Sequence, residues 1–477
     1  PYTTLFRSHQ GENFDLKNHH QLINFVFDRA IEIIDRSLTT YKLGQRSELY
    51  NELEGYLSTI DNSEHSIQLH VDPENHENIY GWIQQHPTKN FLFILKHLTS
   101  SDTNNFSHLI GSNLTKVKVD KILLSDADFF PIPNIGEDFD EAYFQNLINN
   151  LSDEEKIKLT QKGQHIVLVG VPNKHGYAYI VFTYFVWSFY KSGLHLINFR
   201  LSLVQRAWRE YLLNRSGQQE INQHIGIIGC GSLGSRVADF LVQMGVKEIS
   251  LIDNDILKTD NVYRHSLRIT DVNKSKVIAL SQKLTNERPG IKVNSFYENG
   301  LKWISTDSVF KIDTLILATG HLPTEIFITK KIYDLEIDIN IISAWLEPYD
   351  LGGHIISFSS NNEGCLNCLL YNKNGNKTLY PQTSYVLKGQ HIAKNITGCA
   401  GAFTPFSSLS GIKIASLICE VIVDDFKGLK SVTGNINQIS ELKISVSEYW
   451  NQVDSTNGYL DRSLSEIKAI GCVCCNI

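Results

Sequence analysis

No cysteine occurs in the first 229 residues of this 477-residue chain; all eight lie at Cys230 or later. Thiol chemistry, whether nucleophilic, redox or metal-binding, is therefore excluded from the N-terminal half and confined to the C-terminal half. Also missing is any uninterrupted apolar run of the ~18 residues that a membrane-spanning helix requires, so no membrane association is expected. No secretory leader is read at the start, and a cytoplasmic protein is the expectation. Residues 1–8 lack an initiator Met, resemble translated adapter sequence and are set aside from fold reasoning. A basic excess is absent too: 44 Lys and Arg against 51 Asp and Glu leave a net charge of −7, which gives no reason to expect nucleic acid as a partner.

A chain of 477 residues is too long for one hydrophobic core and implies two or three domains. Its most informative stretch runs from Ile225 to Lys276. An apolar strand enters the loop GCGSLG, with Gly229, Gly231, Ser232 and Gly234; an amphipathic helix follows, and a second apolar strand ends in Asp253 and Asp255. This is a nucleotide-binding βαβ unit. Glycines let the backbone approach a phosphate chain at a helix N-terminus, where unpaired N–H groups favour negative charge, and Asp253 stands where a carboxylate holds ribose hydroxyls. A glycine fingerprint alone leaves a generic dinucleotide fold open.

Beyond the acidic strand end come Asn261, Arg264 and Lys276, and cations at this point suit a triphosphate better than a dinucleotide. The pattern D-x-D, then N-x-x-R-H, then a lysine about a dozen residues on resembles the adenylation domain of the ubiquitin-activating (E1-like) superfamily. That superfamily includes the molybdopterin-synthase and thiamine-biosynthesis adenylyltransferases. The resemblance implies ATP and Mg²⁺ as cofactors, with Asp253 on the ribose and Asn261, Arg264 and Lys276 on the phosphates. Two departures stand out. Ser232 replaces a fourth glycine found in many relatives, and after the strand Asp313–Ala318 the chain reads Thr319, Gly320, His321 and Leu322 where relatives carry an acid for Mg²⁺. The ion would then be held by Asp255, by Glu325, or by phosphates and water.

Cys365 and Cys368 form one C-x-x-C pair, and Cys472 and Cys475 a second. Two such pairs supply the thiolates of a tetrahedral S₄ zinc site, the alternative being redox or unrelated surface thiols. Cys474 could replace a neighbour as ligand, and whether the pairs share one zinc is open. The resemblance extends to both pairs. Cys399 precedes a small-residue apolar helix beginning near Pro405, a position where the helix dipole raises the thiolate fraction. It resembles the thioester cysteine of autophagy-type activating enzymes; packing under a crossover loop, and metal or disulfide roles, compete. Cys230 and Cys419 read as core residues. Asn340 to Phe358 reads as strand, turn, strand, with Gly352 and Gly353 in the turn, and His354 in it reads as structural rather than catalytic.

The expected fold class is α/β: a Rossmann-like adenylation domain with a mostly parallel central sheet and zinc knuckle, preceded by an α+β N-terminal domain. Residues 1–200 form the accessory domain. Residues 201–477 form the adenylation domain, with a crossover loop at 372–398 and a zinc-binding C-terminal tail. In the first part, Ser152-x-x-Glu155 is a capping box, and His165–Pro172 and Tyr177–Phe189 read as buried strand or strand-helix. From Leu201, apolar residues at helical spacing carry Arg206, Arg209 and Arg215. The resemblance implies an arginine here for the ATP phosphates, with Arg215 preferred over the other two, and a solvated basic face as the alternative. Some relatives carry a conjugating-enzyme domain ahead of the adenylation domain; without a thiol this one cannot accept a thioester.

The resemblance implies an E1-like activating enzyme of a bacterial ubiquitin-like conjugation pathway, with the antiviral role that such pathways often have. It would adenylate the C-terminal carboxylate of a ubiquitin-like protein, with Arg264 and Lys276 neutralising charge. A thioester on Cys399 would then pass the modifier to a separate E2-like conjugating enzyme, and a homodimer is expected. A sulfur-carrier adenylyltransferase and a non-catalytic nucleotide-binding scaffold are the alternatives.

Overall fold

A computed structural model describes residues 67–84, 91–96, 114–126, 130, 141–173, 176–190, 193–361, 364–390, 392–395, 402–435 and 437–475, with scattered helical residues between 20 and 35. The chain divides into two compact units, 1–208 and 209–477. Among the described residues, no helix is long and apolar enough to cross a membrane.

The first unit is built on seven strands: β1 (Ile67–Leu69), β2 (Ile79–Gln84), β3 (Phe91–Lys96), β4 (Leu114–Leu123), β5 (Gly163–Asn173), β6 (Gly176–Tyr190) and β7 (Gly193–Arg206). They close in the order β1-β3-β2-β4-β5-β6-β7, with β1 also pairing β7. Closure leaves no edge strand among the described strands of this unit. Val167, Val169, Ile180 and Phe182 on β5 and β6 are buried with Phe144 and Leu147 of α1 (Glu141–Asn149). Helix α2 (Asp153–Leu159) starts at the expected capping box, where the Ser152 hydroxyl accepts from Glu155 N–H and the Glu155 carboxylate accepts from Ser152 N–H.

The sequence from Leu201 departs from its helical expectation. Leu201 to Arg206 complete β7, paired to β6 and β1, and the helix α3 spans only Arg209–Arg215. Two partner strands satisfy the backbone of 201–206, and this pairing overrides side-chain periodicity.

The second unit is an eight-stranded sheet ordered β10-β9-β8-β11-β12-β13-β16-β17. Strands β8 (Ile221–Ile228), β9 (Val246–Ile252), β10 (Lys292–Phe296), β11 (Thr314–Leu317) and β12 (Asn340–Leu346) are mutually parallel, and β13 (Gly352–Ser359), β16 (Gly428–Thr433) and β17 (Tyr459–Arg462) extend the sheet antiparallel. A short antiparallel pair, β14 (Lys394–Asn395) and β15 (Ala402–Phe403), stands apart from it. Helices α4 (Ser232–Gln243), α5 (Lys276–Glu287), α6 (Leu322–Asp334) and α7 (Ser408–Val423) connect and cover the strands. Val237 and Leu241 of α4 and Ile414 and Ile418 of α7 bury their side chains against Ile225, Ile227 and Ile249 of the sheet. The parallel central sheet of the expected α/β class is present.

The β12–β13 turn differs from its expected form. It is made by Pro348–Asp350, where Tyr349 and Asp350 take φ of 53° and 60°. Gly352 and Gly353 are already in β13, paired to Thr433 and Val432 of β16, respectively. Two consecutive non-glycine residues in the left-handed region are strained. The Asp350 carboxylate offsets this by accepting from Ser407 N–H and the Ser410 hydroxyl at the start of α7.

Candidate functional site

The loop between β8 and α4 is fixed by close backbone contact. A Cβ on Gly229, whose φ is +94°, would lie 2.7 Å from the Ala318 carbonyl, and a Cβ on Gly234 would lie 1.9 Å from the Gly229 oxygen. Neither position tolerates a side chain, whereas Gly231 borders open space. The Asp253 carboxylate at the end of β9 accepts from Cys230 N–H and Asp255 N–H, both at 2.8 Å. It thus ties the glycine loop to the strand end at the point expected to meet a ribose. Ser232, which stands where a glycine was expected, donates its hydroxyl to the Arg264 carbonyl at 2.8 Å.

A cleft of about 200 Å³ opens beside this loop, lined by Gly231, Ser232, Asn261, Arg264, His265, Lys276 and Phe406. The folded chain therefore gathers residues from four separate segments. Asn261 accepts the N–H groups of Arg264 and His265 on its carbonyl, both at 2.9 Å, and so shapes the basic turn. The Arg264 guanidinium lies 5.0 Å from the Phe406 ring centroid. Lys276 is only 7% exposed and pairs with the largely exposed Asp255 carboxylate at 2.8 Å. It is also the first residue of α5, where the helix dipole disfavours a cation. A buried lysine placed against a dipole, with a single exposed carboxylate for a partner, is well arranged to meet an anionic ligand.

Arg206, Arg209 and Arg215 fare differently. Arg206 donates to the Tyr177 carbonyl at 2.7 Å, and Arg209 is buried between Glu220 and the Gly245 carbonyl at 2.9 and 2.6 Å. Arg215 is exposed at the end of α3 and does not line the cleft.

Glu325 is not placed to hold a metal. It is 2% exposed; Oε1 accepts the Thr319 N–H and hydroxyl at 2.9 and 2.7 Å, and Oε2 accepts the Ser343 hydroxyl at 2.5 Å. Burial pushes its carboxyl up, against the pull of the hydrogen bonds from Ser343 and Thr319. Gly320 has φ +67°, so an aspartate there would be strained. Of the two acids considered from sequence, Asp255 is the one paired with a residue that lines the cleft, Lys276.

The second cluster shares a core with Ile356 and Phe358 of β13. The Sγ atoms of Cys365, Cys368, Cys472 and Cys475 all fall within 4.8 Å of one another, with close approaches of 3.9, 3.7 and 3.4 Å. Four thiolates at ~2.3 Å from a tetrahedral zinc stand ~3.8 Å apart, so this donor set fits the ion. The two C-x-x-C pairs therefore come together in one cluster of sulfurs. Asn367 Nδ2 donates to Cys472 Sγ at 3.3 Å, which favours the thiolate form. Cys474 is buried nearby but is not among the four.

Cys399 lies outside the described residues, as do 391 and 396–398 of the expected crossover loop. Cys230 and Cys419 are buried; burial pushes the Cys230 thiol well up and that of Cys419 to about 12, as befits unreactive packing residues. His354 is fully buried between Glu347 Oε1 at 3.2 Å and Ser431 Oγ at 2.9 Å, a structural network away from the cleft. His265 and Phe406 were not singled out from sequence. His265 sits inside the N-x-x-R-H pattern and could have been weighed there; Phe406 arrives from a distant segment and carries no local signal.

The ThiF family model matches residues 205–454. The chain is 24% identical over 223 residues to the ATP-dependent ubiquitin transferase-like protein Cap2 of Pseudomonas aeruginosa, across 43% of this chain and 37% of that protein. It is 26% identical over 241 residues to a Cap2 protein of Vibrio cholerae, across 48% and 40%. It is 27% identical over 156 residues to the sulfur carrier protein ThiS adenylyltransferase of Escherichia coli, across 32% and 61%. The chain thus spans less than half the length of the two Cap2 relatives.

Proposed function

The chain belongs to the ThiF family, and from that premise we propose that it adenylates the C-terminal carboxylate of a ubiquitin-like protein in a bacterial conjugation pathway with an antiviral role. The observation carrying this is the cleft itself, where Arg264 and the buried Lys276 stand beside a glycine loop and a helix N-terminus. These groups neutralise the triphosphate while the modifier's carboxylate oxygen attacks the α-phosphorus and pyrophosphate leaves. The protein's share of catalysis is positioning and charge stabilisation. Asp253 holds the loop and faces the ribose, Asn261 shapes the phosphate-binding turn, and Asp255 is the acid for Mg²⁺. Zinc in the four-thiol site is structural. Arg215 enters only in a homodimer, across the interface.

In the second step the Cys399 thiolate attacks the acyl carbon, AMP leaves, and the thioester passes to a separate conjugating enzyme in the cytoplasm. The test is incubation with ATP, Mg²⁺ and the candidate ubiquitin-like protein, followed by non-reducing and reducing gels. Wild type is expected to give a thiol-sensitive adduct that Cys399→Ala loses, while Cys399→Ala keeps modifier-dependent ATP–pyrophosphate exchange. An adduct that persists in Cys399→Ala removes the nucleophile assignment. Exchange without any adduct favours sulfur-carrier chemistry, to which the likeness to the ThiS adenylyltransferase lends support.

A further inference from the structure

His265 is 5% exposed, lines the cleft, and belongs to neither the basic pair nor the glycine loop. Its two ring nitrogens have different partners. Leu267 N–H lies 3.1 Å from Nδ1 and can only donate, which leaves the ring proton on Nε2. Nε2 lies 2.7 Å from the Cys230 carbonyl oxygen, which can only accept. Burial draws the imidazole down to about 4, so it is neutral and keeps this tautomer at physiological pH.

The Cys230 residue is thereby held at both ends, its N–H by Asp253 at 2.8 Å and its carbonyl by His265. The carbonyl belongs to the planar trans peptide that ends in the Gly231 N–H, so fixing one end of that peptide fixes the direction of the other. That N–H has no hydrogen-bond partner among the described residues, and it stands at the start of the twelve-residue α4. Gly231 borders open space and offers no side chain to steady the peptide.

We infer that His265 is a positioning residue for nucleotide binding: it pins the Cys230 carbonyl and so aims the Gly231 N–H that phosphate oxygens use. This rests on the nucleotide reading of the cleft and goes beyond it by assigning the loop's orientation to a side chain outside the loop. Any alternative in which the imidazole only braces its own turn acts through Nδ1 and Leu267, and the two roles can be separated. Glutamine places a donor where Nε2 stands, whereas asparagine places its amide near Nδ1.

Equilibrium ATP binding to the full chain, without modifier, is measured for wild type and for His265→Ala, His265→Asn and His265→Gln, together with thermal stability. Loss of one well-placed hydrogen bond corresponds to about tenfold in affinity. His265→Ala and His265→Asn are expected to weaken ATP by about that factor, and His265→Gln to restore most of it. Rescue by asparagine instead of glutamine, unchanged affinity in alanine, or an equal loss of affinity in all three variants overturns the inference. Wild type that binds no ATP overturns both this and the nucleotide reading. Wild type that binds ATP in a His265-dependent way but shows no pyrophosphate exchange removes only the proposed reaction.

Discussion

Lys276→Ala is expected to lower modifier-dependent ATP–pyrophosphate exchange by roughly two to three orders of magnitude, the usual cost of deleting one preorganised charge from a site where negative charge develops. Stability should change little. Its ion pair is with Asp255, whose carboxylate is 66% exposed and returns to water when the lysine is gone. Removing a cation from the first position of α5 also relieves an unfavourable interaction with the helix dipole. The remaining concern is packing, because the lysine stem is buried. Lys276→Met keeps the stem and discards the charge, so it should show the same loss of exchange with a melting temperature at the wild-type value. Exchange at the wild-type rate in Lys276→Met would mean that the buried lysine merely organises the 253–276 loop, and the cleft would need another source of positive charge.

What could be seen in the sequence depended on how local the physics was. The β8–α4–β9 unit was legible because Gly229 and Gly234 act on their own loop and on the strand beside it, and because apolar strands next to a glycine-rich turn permit few other structures. Asp253, Arg264 and Lys276 stood out through their match to the E1-like pattern; the fold sets Arg264 and Lys276 in one cleft and ties Asp253 to the glycine loop beside it. The barrel was not legible. Residues 201–206 show helical periodicity, and only the partners β1 and β6, more than 130 and about 20 residues away along the chain, make them a strand. Glu325 misled for a related reason. Its position near the strand end suggested an acid for Mg²⁺, but the hydroxyls of Thr319 and Ser343 that occupy it became visible only once β11, β12 and α6 were assembled. The work of His265 was hidden because its acceptor is a backbone carbonyl 35 residues earlier.

The four-thiol site shows the same division and leads to the second large effect. Each C-x-x-C pair was legible alone, but their union joins residues 107 apart, a closure that spacing cannot reveal. Cys365, Cys368 and Cys472 are buried in the core that also holds Trp303, Ile356 and Phe358, and the segment just ahead of Cys472 contributes Leu464, Ile467 and Ala469 to it. Zinc bound there would fasten the tail onto an existing core instead of creating the fold. At a free zinc concentration a thousand times its Kd, the ion contributes about 4 kcal/mol. At roughly 2–4 °C per kcal/mol for a unit of this size, removing it should lower the melting temperature by about 8–16 °C. Cys365→Ser and Cys472→Ser should each show that drop and lose the one zinc per chain that elemental analysis would find in wild type. Cys474→Ser should keep the metal, because Cys474 is not one of the four clustered sulfurs. At temperatures where the zinc-free protein is still folded, pyrophosphate exchange should continue, since none of the four sulfurs lines the cleft. Purified protein with no zinc and an unchanged melting temperature in Cys365→Ser would make the cluster a packing feature of reduced thiols, and the tail would then be held by its apolar residues alone.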